Sequence, residues 1–274
     1  MRVSVITVCY NAIQGIEKTI TSVLSQSYPE IEYIVIDGGS KDGTVDVIQK
    51  YADRIDYFVS EPDGGIYDAM NKGIRVAAGG WITFLNASDT YYSSQSIEGV
   101  FSREIPSDID VVYGYQVHSY GYGKFVRKQL PLTFFSTGMP FGHESSFVRA
   151  EVMKHDGFDI RYRIAADYNF FYQLYMSGGH FMPVDVIVAD FESAEGVSSS
   201  DTTVLQTHRE SSMINGTYTT FQYKKQLISK YVRMMLKKLL SVFSNDFVIQ
   251  RQLKQREQNE EYIPLNVFLS NHHA

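Results

Sequence analysis

A chain of 274 residues is long enough for one large domain, or one domain plus an appendage, and 44% apolar with 20% charged residues is ordinary for a soluble globular protein. Its single cysteine, Cys9, excludes an internal disulfide framework and fits a reducing compartment. The net charge of −6 is uneven: residues 205–274 hold ten Lys/Arg against five Asp/Glu, while residues 1–204 hold fifteen against twenty-six, a basic tail on an acidic body that argues against nucleic acid as a partner.

Arg2 to Cys9 reads as a β-rich first strand, too short in apolar residues for a signal peptide, and it ends at Tyr10-Asn11. Ile16, Ile20, Val23 and Leu24 have helical spacing, and Tyr28-Pro29 breaks that helix. Ile31 to Ile36 is a second apolar strand that runs into Asp37-Gly38-Gly39-Ser40-Lys41-Asp42-Gly43-Thr44. Val45 to Tyr51 begins a helix, and Ile55 to Val59 is a third strand. Strands alternating with short helices predict βαβ units and a parallel sheet. The loop Ser60 to Ala69 carries Glu61, Asp63 and Asp68 around Gly64-Gly65, and Met70 to Ala78 reads as the helix that follows. Trp81-Ile82-Thr83-Phe84-Leu85 is a buried strand ending in Asn86-Ala87-Ser88-Asp89. Three polar, acid-bearing loops at the carboxyl edge of one sheet are what a nucleotide crevice requires. Asp89 is either a ligand for a hard cation beside a diphosphate or the cap of the helix or turn that follows.

Ile97 to Arg103 is predicted helical, and Val111 to His118 with Lys124 to Lys128 form a hairpin across Tyr120-Gly-Tyr-Gly123. Pro140-Phe-Gly-His-Glu-Ser-Ser-Phe147 sets His143 and Glu144 just before a further strand. His143 is open to two roles, a metal or phosphate ligand and a satisfied structural histidine. Asp167 opens a helix with apolar positions at Phe170, Phe171, Leu174 and Tyr175. At that helix start it is either an N-cap or a functional carboxylate. Phe181 to Phe191 is a strand, and Glu195 to Ser200 a loop that closes the main domain, giving domains at 1–203 (halves of about 1–100 and 101–203) and 204–274. In the tail, Ile228, Tyr231, Val232, Met235, Leu236, Leu239, Val242 and Phe243 follow a helical stripe, with Lys230, Arg233 and Lys237 opposite and no acid between Phe221 and Ser244. Such a basic amphipathic helix is a membrane-surface element or a helix packed on the domain. Gln250 to Ala274 carries no readable signal.

Val-Ile-Thr-Val-Cys-Tyr-Asn (5–11), Ile-Asp-Gly-Gly-Ser-Lys-Asp-Gly-Thr (36–44), Glu-Pro-Asp-Gly-Gly-Ile-Tyr-Asp-Ala-Met-Asn-Lys-Gly (61–73) and Phe-Leu-Asn-Ala-Ser-Asp (84–89) together resemble family 2 glycosyltransferases. The likeness extends from Val3 to about Val197 and is nearest the bacterial branch that builds capsule, exopolysaccharide and O-antigen chains. It implies a GT-A fold, an α/β Rossmann-like architecture with a mixed, mostly parallel sheet flanked by helices, here with a helical C-terminal extension. It also implies an inverting, metal-dependent transfer from a nucleotide-diphospho-sugar, UDP-linked, to a glycan or polyprenyl-linked glycan acceptor. By the same resemblance Thr7 and Tyr10 line the nucleobase pocket, Asp37 sits beside base and ribose, and Lys72 lies near the diphosphate. Asn11, Gly38, Asp63, Asn86 and Ser88 complete the nucleotide-sugar site, Asp89 holds Mn²⁺ or Mg²⁺, His143 and Glu144 lie on the acceptor side, and Asp167 is the catalytic base. Val197-Ser198-Ser199 resembles a segment that closes over the diphosphate.

Two departures stand out. Many members carry Asp-Asp where this chain has Asp37-Gly38, and the DXD-like segment Asn86-Ala-Ser-Asp89 keeps one carboxylate, a weaker site that would demand more Mn²⁺ or Mg²⁺, or help from Glu61 or Asp63. The resemblance implies work at the cytoplasmic face of the inner membrane, with the basic tail as a peripheral anchor, and leaves homo-oligomer formation open. Two rivals remain. A sugar-nucleotide nucleotidyltransferase would want a basic, glycine-rich phosphate loop where Tyr10-Asn11-Ala12 stands. A catalytically silent nucleotide-sugar-binding subunit would have no use for Asp167.

Overall fold

The computed structural model describes residues 1–192, 201–241 and 245–272. Its first half is a set of βαβ units: β1 (Val3–Cys9), α1 (Ile16–Leu24), β2 (Ile31–Asp37), α2 (Thr44–Gln49), β3 (Tyr57–Ser60), α3 (Ile66–Val76) and β4 (Trp81–Phe84). The second half contains β5 (Thr90–Tyr91), α4 (Ser96–Phe101), the hairpin β6 (Val111–Tyr120) and β7 (Gly123–Arg127), β8 (Ser146–Arg149), α5 (Ala150–Asp156), α6 (Ala166–Met176) and β9 (Phe181–Glu192). Then come α7 (Asp201–Ile214), α8 (Phe221–Ser241), α9 (Asn245–Glu257), β10 (Tyr262–Pro264) and α10 (Leu265–His272).

One sheet runs through all of this in the order β10-β7-β6-β8-β4-β1-β2-β3, with β9 beside β6 and β5 beside β9. β4, β1, β2 and β3 are mutually parallel, as the alternation of strands and helices requires. β8 is antiparallel to both β4 and β6, and β9 is parallel to β6. The carboxyl ends of β1, β2, β3, β4, β6 and β9 therefore share one edge with the chain entering β8. Residues far apart in sequence (Tyr10, Asp37, Asp63, Asn86, Gln116, His143, Glu192) are delivered to that edge by topology alone.

The inner strands are apolar on both faces because both faces are covered. Val3, Val5, Tyr33 and Val35 pack with Ile16, Ile20, Val23 and Ile48 of α1 and α2. Ile6, Val8, Ile34 and Ile36 pack with Met70 and Ile74 of α3 and, further along, Phe170 and Phe171 of α6. α3 lies so close to β1 that a Cβ on Gly73 would meet Ile6 Cγ2 at 2.5 Å, which requires glycine there.

Element boundaries depart from the sequence expectation in two informative places. α3 begins at Ile66, four residues before Met70, because Gly65 at φ 124° turns the chain directly into the helix. The chain keeps contact across the boundary expected at residues 203/204, which falls within α7. α7 packs on α6, β10 adds antiparallel to β7 with Tyr262 opposite Arg127, and Phe268 of α10 is buried against Tyr115, Val117 and Val126. The terminal stretch carries no sequence signal because Gln250–Glu257, the part of α9 within it, has Leu253 as its one apolar residue, and the three-residue edge strand and two-turn helix that follow are too short to show periodicity. α8 bears out the expected helix up to Ser241, and Ile228, Val232 and Met235 on it are exposed, Met235 at 68%. Val242 and Phe243, like Glu195–Ser200 and the Val197-Ser198-Ser199 segment, lie outside the described residues. Among the described residues no helix is long and apolar enough to cross a membrane.

Candidate active site

Tyr10, Gly38 and Asp63 form the first cluster, at the ends of β1, β2 and β3. Tyr10 is 66% exposed, an aromatic face free to stack. A Cβ on Gly38 would lie 2.6 Å from Asp63 Oδ2 and 3.3 Å from Tyr10 Cδ2. Asp63, reaching over from the next loop, thus occupies the space that a side chain at position 38 would take. Gly65 N–H donates to Asp63 Oδ1 at 2.8 Å and holds it there.

Two expected members of this cluster have other occupations. Thr7 is fully buried in mid-strand and accepts a hydrogen bond from Tyr33 Oη at 3.2 Å, so it lines core rather than pocket. Asp37 is also fully buried, and its carboxylate accepts from Gly39 N at 3.0 Å, Ser40 N at 2.8 Å, Ser60 Oγ at 2.6 Å and the Ser40 hydroxyl. Burial alone would raise this carboxyl, but the Ser40 and Ser60 bonds outweigh it and hold it below the usual range. With its acceptor sites filled, Asp37 shapes the loop that positions Gly38. Asn11, at φ 48°, does similar work: its Oδ1 accepts from Lys41 N at 3.0 Å, and its own N–H donates to Ser40 Oγ at 2.7 Å. Lys72 is clamped by Glu61 at 2.8 Å and by the Pro62 carbonyl at 3.0 Å, which staples the loop instead of leaving a free cation.

Asn86 to Asp89 form the turn after β4, and Asp89 is followed by β5, not by a helix, so it is no helix cap. Ser88 stands in the left-handed region at φ 84°, a conformation that side-chain-bearing residues adopt only when held. Thr19 of α1 supplies the hold. Its hydroxyl accepts from Ser88 N at 3.0 Å and donates to the Asp89 carbonyl at 2.7 Å. Asp89 itself is only 4% exposed, and Oδ1 accepts from Glu192 N at 3.0 Å. Burial first, then the Glu144 carboxylate, pushes its carboxyl well above the usual range.

That arrangement fits a cation. A buried carboxyl crowded by a second carboxylate, beside an Asn86 Oδ1 that is buried without a partner, is relieved by positive charge. Among the described residues no three His, Cys, Asp or Glu side chains form a metal cage. The protein would therefore offer few ligands and leave the rest to substrate oxygens and water, as ions of the Mg²⁺ type accept. The carboxylate acting most strongly on Asp89 is Glu144, not Glu61, which is tied to Lys72, nor Asp63, which lies against Gly38.

Glu144 belongs to a buried chain of hydrogen bonds. Burial, aided by the cations of Arg127 and Arg256, depresses His118 to about 3, so its ring is neutral. Tyr120 Oη lies 3.3 Å from Nδ1 and donates to it, Nε2–H donates to Gln116 Oε1 at 3.1 Å, and Gln116 Nε2 donates to Glu144 Oε2 at 2.6 Å. Gln116, His118 and Tyr120 alternate along β6, hence share one face. Glu144 Oε1 then lies 3.5 Å from His143 Nδ1, and Asp167 Oδ2 lies 3.7 Å from the same nitrogen. His143 Nε2 is buried without a partner.

Asp167 is not the N-cap. That position is Ala165, which has no capping side chain, and Asp167 sits inside the first turn of α6. Tyr67 of α3 donates its phenol proton to Asp167 Oδ1 at 2.8 Å or to the Ile164 carbonyl at 2.8 Å. Burial, then Asp167, drives Tyr67 far above its usual range, which keeps it a neutral donor. Asp167 remains half-buried, its side chain 20% exposed. Sequence inspection missed Thr19, Tyr67, Gln116 and His118. Gln116 alone left a trace, as a polar residue inside the apolar run of β6.

Residues 4–165 match the model of the family described as glycosyl transferase family 2. The chain belongs to that family. An uncharacterized glycosyltransferase of Mycobacterium tuberculosis is 32% identical over 225 residues, covering 78% of this chain and 80% of that one. A PGL/p-HBAD biosynthesis glycosyltransferase of Mycobacterium bovis is 27% identical over 208 residues, covering 72% and 79%. Among solved structures, S. aureus TarS 1-349 in complex with UDP-GlcNAc superposes with a TM-score of 0.60 at 19% identity, over 78% of this chain and 66% of that one. The mannosyltransferase PcManGT from Pyrobaculum calidifontis, in complex with GDP-Man and Mn²⁺, superposes at 0.64 with 16% identity, over 93% and 79%. These likenesses show the GT-A type fold that the sequence motifs imply.

Proposed function

We propose that this family 2 glycosyltransferase moves a sugar, with inversion, from a nucleotide-diphospho-sugar to a hydroxyl of a growing surface glycan. Asp167 carries the proposal. It is a carboxylate inside the first turn of a helix, fixed by the neutral Tyr67 phenol at 2.8 Å and open to the sheet edge. As the acceptor oxygen bonds to the anomeric carbon, Asp167 takes its proton and the bond from that carbon to the diphosphate oxygen breaks. The products are the glycoside, the free nucleoside diphosphate and a protonated Asp167. Ionised Asp167 is the stronger acceptor for the Tyr67 proton; once Asp167 is protonated, the Ile164 carbonyl at 2.8 Å remains for it.

Tyr10 would stack on the base, and Asp63, over Gly38, would read the edge of a uracil or guanine. Asp89, with Asn86 beside it, would hold Mn²⁺ or Mg²⁺, which supplies positive charge against the departing diphosphate. His143 and Glu144 would orient the acceptor side of the site around Asp167. The exposed apolar residues of α8, on a segment without acids, suit the surface of an anionic membrane and hence a lipid-linked acceptor at its cytoplasmic face.

A thermal-shift screen of nucleoside diphosphates and sugar nucleotides, each with and without Mn²⁺, tests the donor site, since a ligand of the folded state raises its stability by mass action. The expected result is a metal-dependent shift with one nucleotide that Asp89→Ala abolishes. A shift equal with and without metal would remove Asp89 from its role, and no shift with any nucleotide would remove the donor site.

A further inference from the structure

α6, which presents Asp167, starts without a cap of its own. Ala165 occupies the N-cap position and has no side chain to offer, although the N–H groups at a helix start need acceptors. The segment that leads into it, up to and including the N-cap, is held instead from α7, 45 residues further along the chain. Glu210 is only 9% exposed, and its carboxylate receives three consecutive backbone N–H groups: Arg163 at 3.2 Å on Oε1, Ile164 at 2.9 Å and Ala165 at 3.0 Å on Oε2. Gln206, one turn earlier on α7, donates to Oε1 at 2.9 Å and fixes the carboxylate from its own helix. The segment so gripped is the one whose Ile164 carbonyl shares the Tyr67 proton with Asp167. Glu210 holds Arg163 to Ala165 from one side and Tyr67 holds Ile164 and Asp167 from the other. Among the described residues no backbone N–H donates to the Asp167 carboxylate.

We infer that Glu210 is a positioning residue for Asp167: bound to three backbone amides, it fixes the start of α6 and with it the direction in which the Asp167 carboxylate points. This rests on the reading of Asp167 as the base. It also gives α7, outside the matched residues 4–165, a direct part in the site. A charged carboxylate on three convergent N–H groups is a strong arrangement, and an amide in its place loses one acceptor oxygen to an NH₂ group that cannot accept.

The test compares full-length wild type, Glu210→Gln, Glu210→Ala, Asp167→Asn and the Glu210→Ala/Asp167→Asn double variant. Amide hydrogen exchange at Arg163, Ile164 and Ala165 should quicken about tenfold or more in Glu210→Gln, with the far-UV spectrum unchanged. Turnover should fall on the order of tenfold in Glu210→Gln and further in Glu210→Ala, with the donor KM within about twofold of wild type. In the Asp167→Asn background the Glu210→Ala change should cost almost nothing more, because its effect passes through the missing base. Multiplying effects in the double variant, or unchanged exchange and turnover in Glu210→Gln, would overturn the proposal while leaving the transferase reading intact. A wild type without turnover on any sugar nucleotide would overturn that reading, and the base positioning with it, whatever the exchange rates show.

Discussion

In the parallel half of the molecule most candidate site residues follow a strand end, and their loops are held by the neighbouring strand-to-helix loops and helices: Asp37 by Ser40 and Ser60, Asn11 by Ser40 and Lys41, Ser88 by Thr19. In the antiparallel half the carboxylates are held by side chains from β6, α3 and α7, so that Glu144 depends on Gln116 and Asp167 on Tyr67. The first design fixes backbone: Asp37 is consumed in shaping a loop, and Lys72 in stapling one. The second fixes carboxylates, which acid–base chemistry requires at a set angle. A substitution should therefore cost folding or donor binding in the first half and turnover in the second.

The largest effect expected from this contrast is at Asp167. Asp167→Asn should keep nucleotide-sugar binding and lose roughly 10²–10⁴-fold in kcat, the range of a lost general base; intact turnover would take the base role from this residue. Next comes the pair Asp63 and Asp37. Asp63→Ala should raise the donor KM on the order of tenfold at unchanged Tm. Asp37→Asn should lower stability by about 1–3 kcal/mol, since a buried acceptor is replaced by a group that cannot serve all its donors. Because the Asp37 carboxyl is held below its usual range, its contribution is full above the ordinary carboxylate value of about 3.9 and is lost as pH falls through the lower folded value. Thermal melts of wild type and Asp37→Asn against pH would check this: the gap should close toward acid, and a gap that widened would contradict it. The smallest effect on turnover is expected on α8. Ile228→Ser, Val232→Ser and Met235→Ser together should weaken binding to anionic liposomes by at least about tenfold while turnover on a soluble acceptor stays as it was. Equal loss of both would make α8 a structural helix. Deleting everything after Phe221 would not distinguish these, because β10 extends the sheet at β7 and Phe268 of α10 packs against Val117 and Val126.

The same contrast explains what the sequence could disclose. The parallel half was legible because a buried strand followed by a glycine- and acid-rich loop is a local pattern, and βαβ topology fixes where its end emerges. Orientation is what a motif does not state: the alternation of β1 buries the Thr7 side chain, and the Asp37 side chain is buried at the end of β2. In the antiparallel half, His143, Glu144 and Asp167 were nameable from the family resemblance. Their supports were not, since Tyr67 looks like any aromatic on an amphipathic helix and Glu210 like any surface glutamate. Contacts across 97 to 100 residues leave no mark in spacing.

The central claim is a single displacement with one base, and the stereochemistry of the product tests it most directly. From a donor of known anomeric configuration, the anomeric proton coupling of the glycoside formed, read by ¹H NMR, should report the opposite configuration. Retention would contradict a lone Asp167 acting on the acceptor hydroxyl and would demand a second displacement at the same carbon.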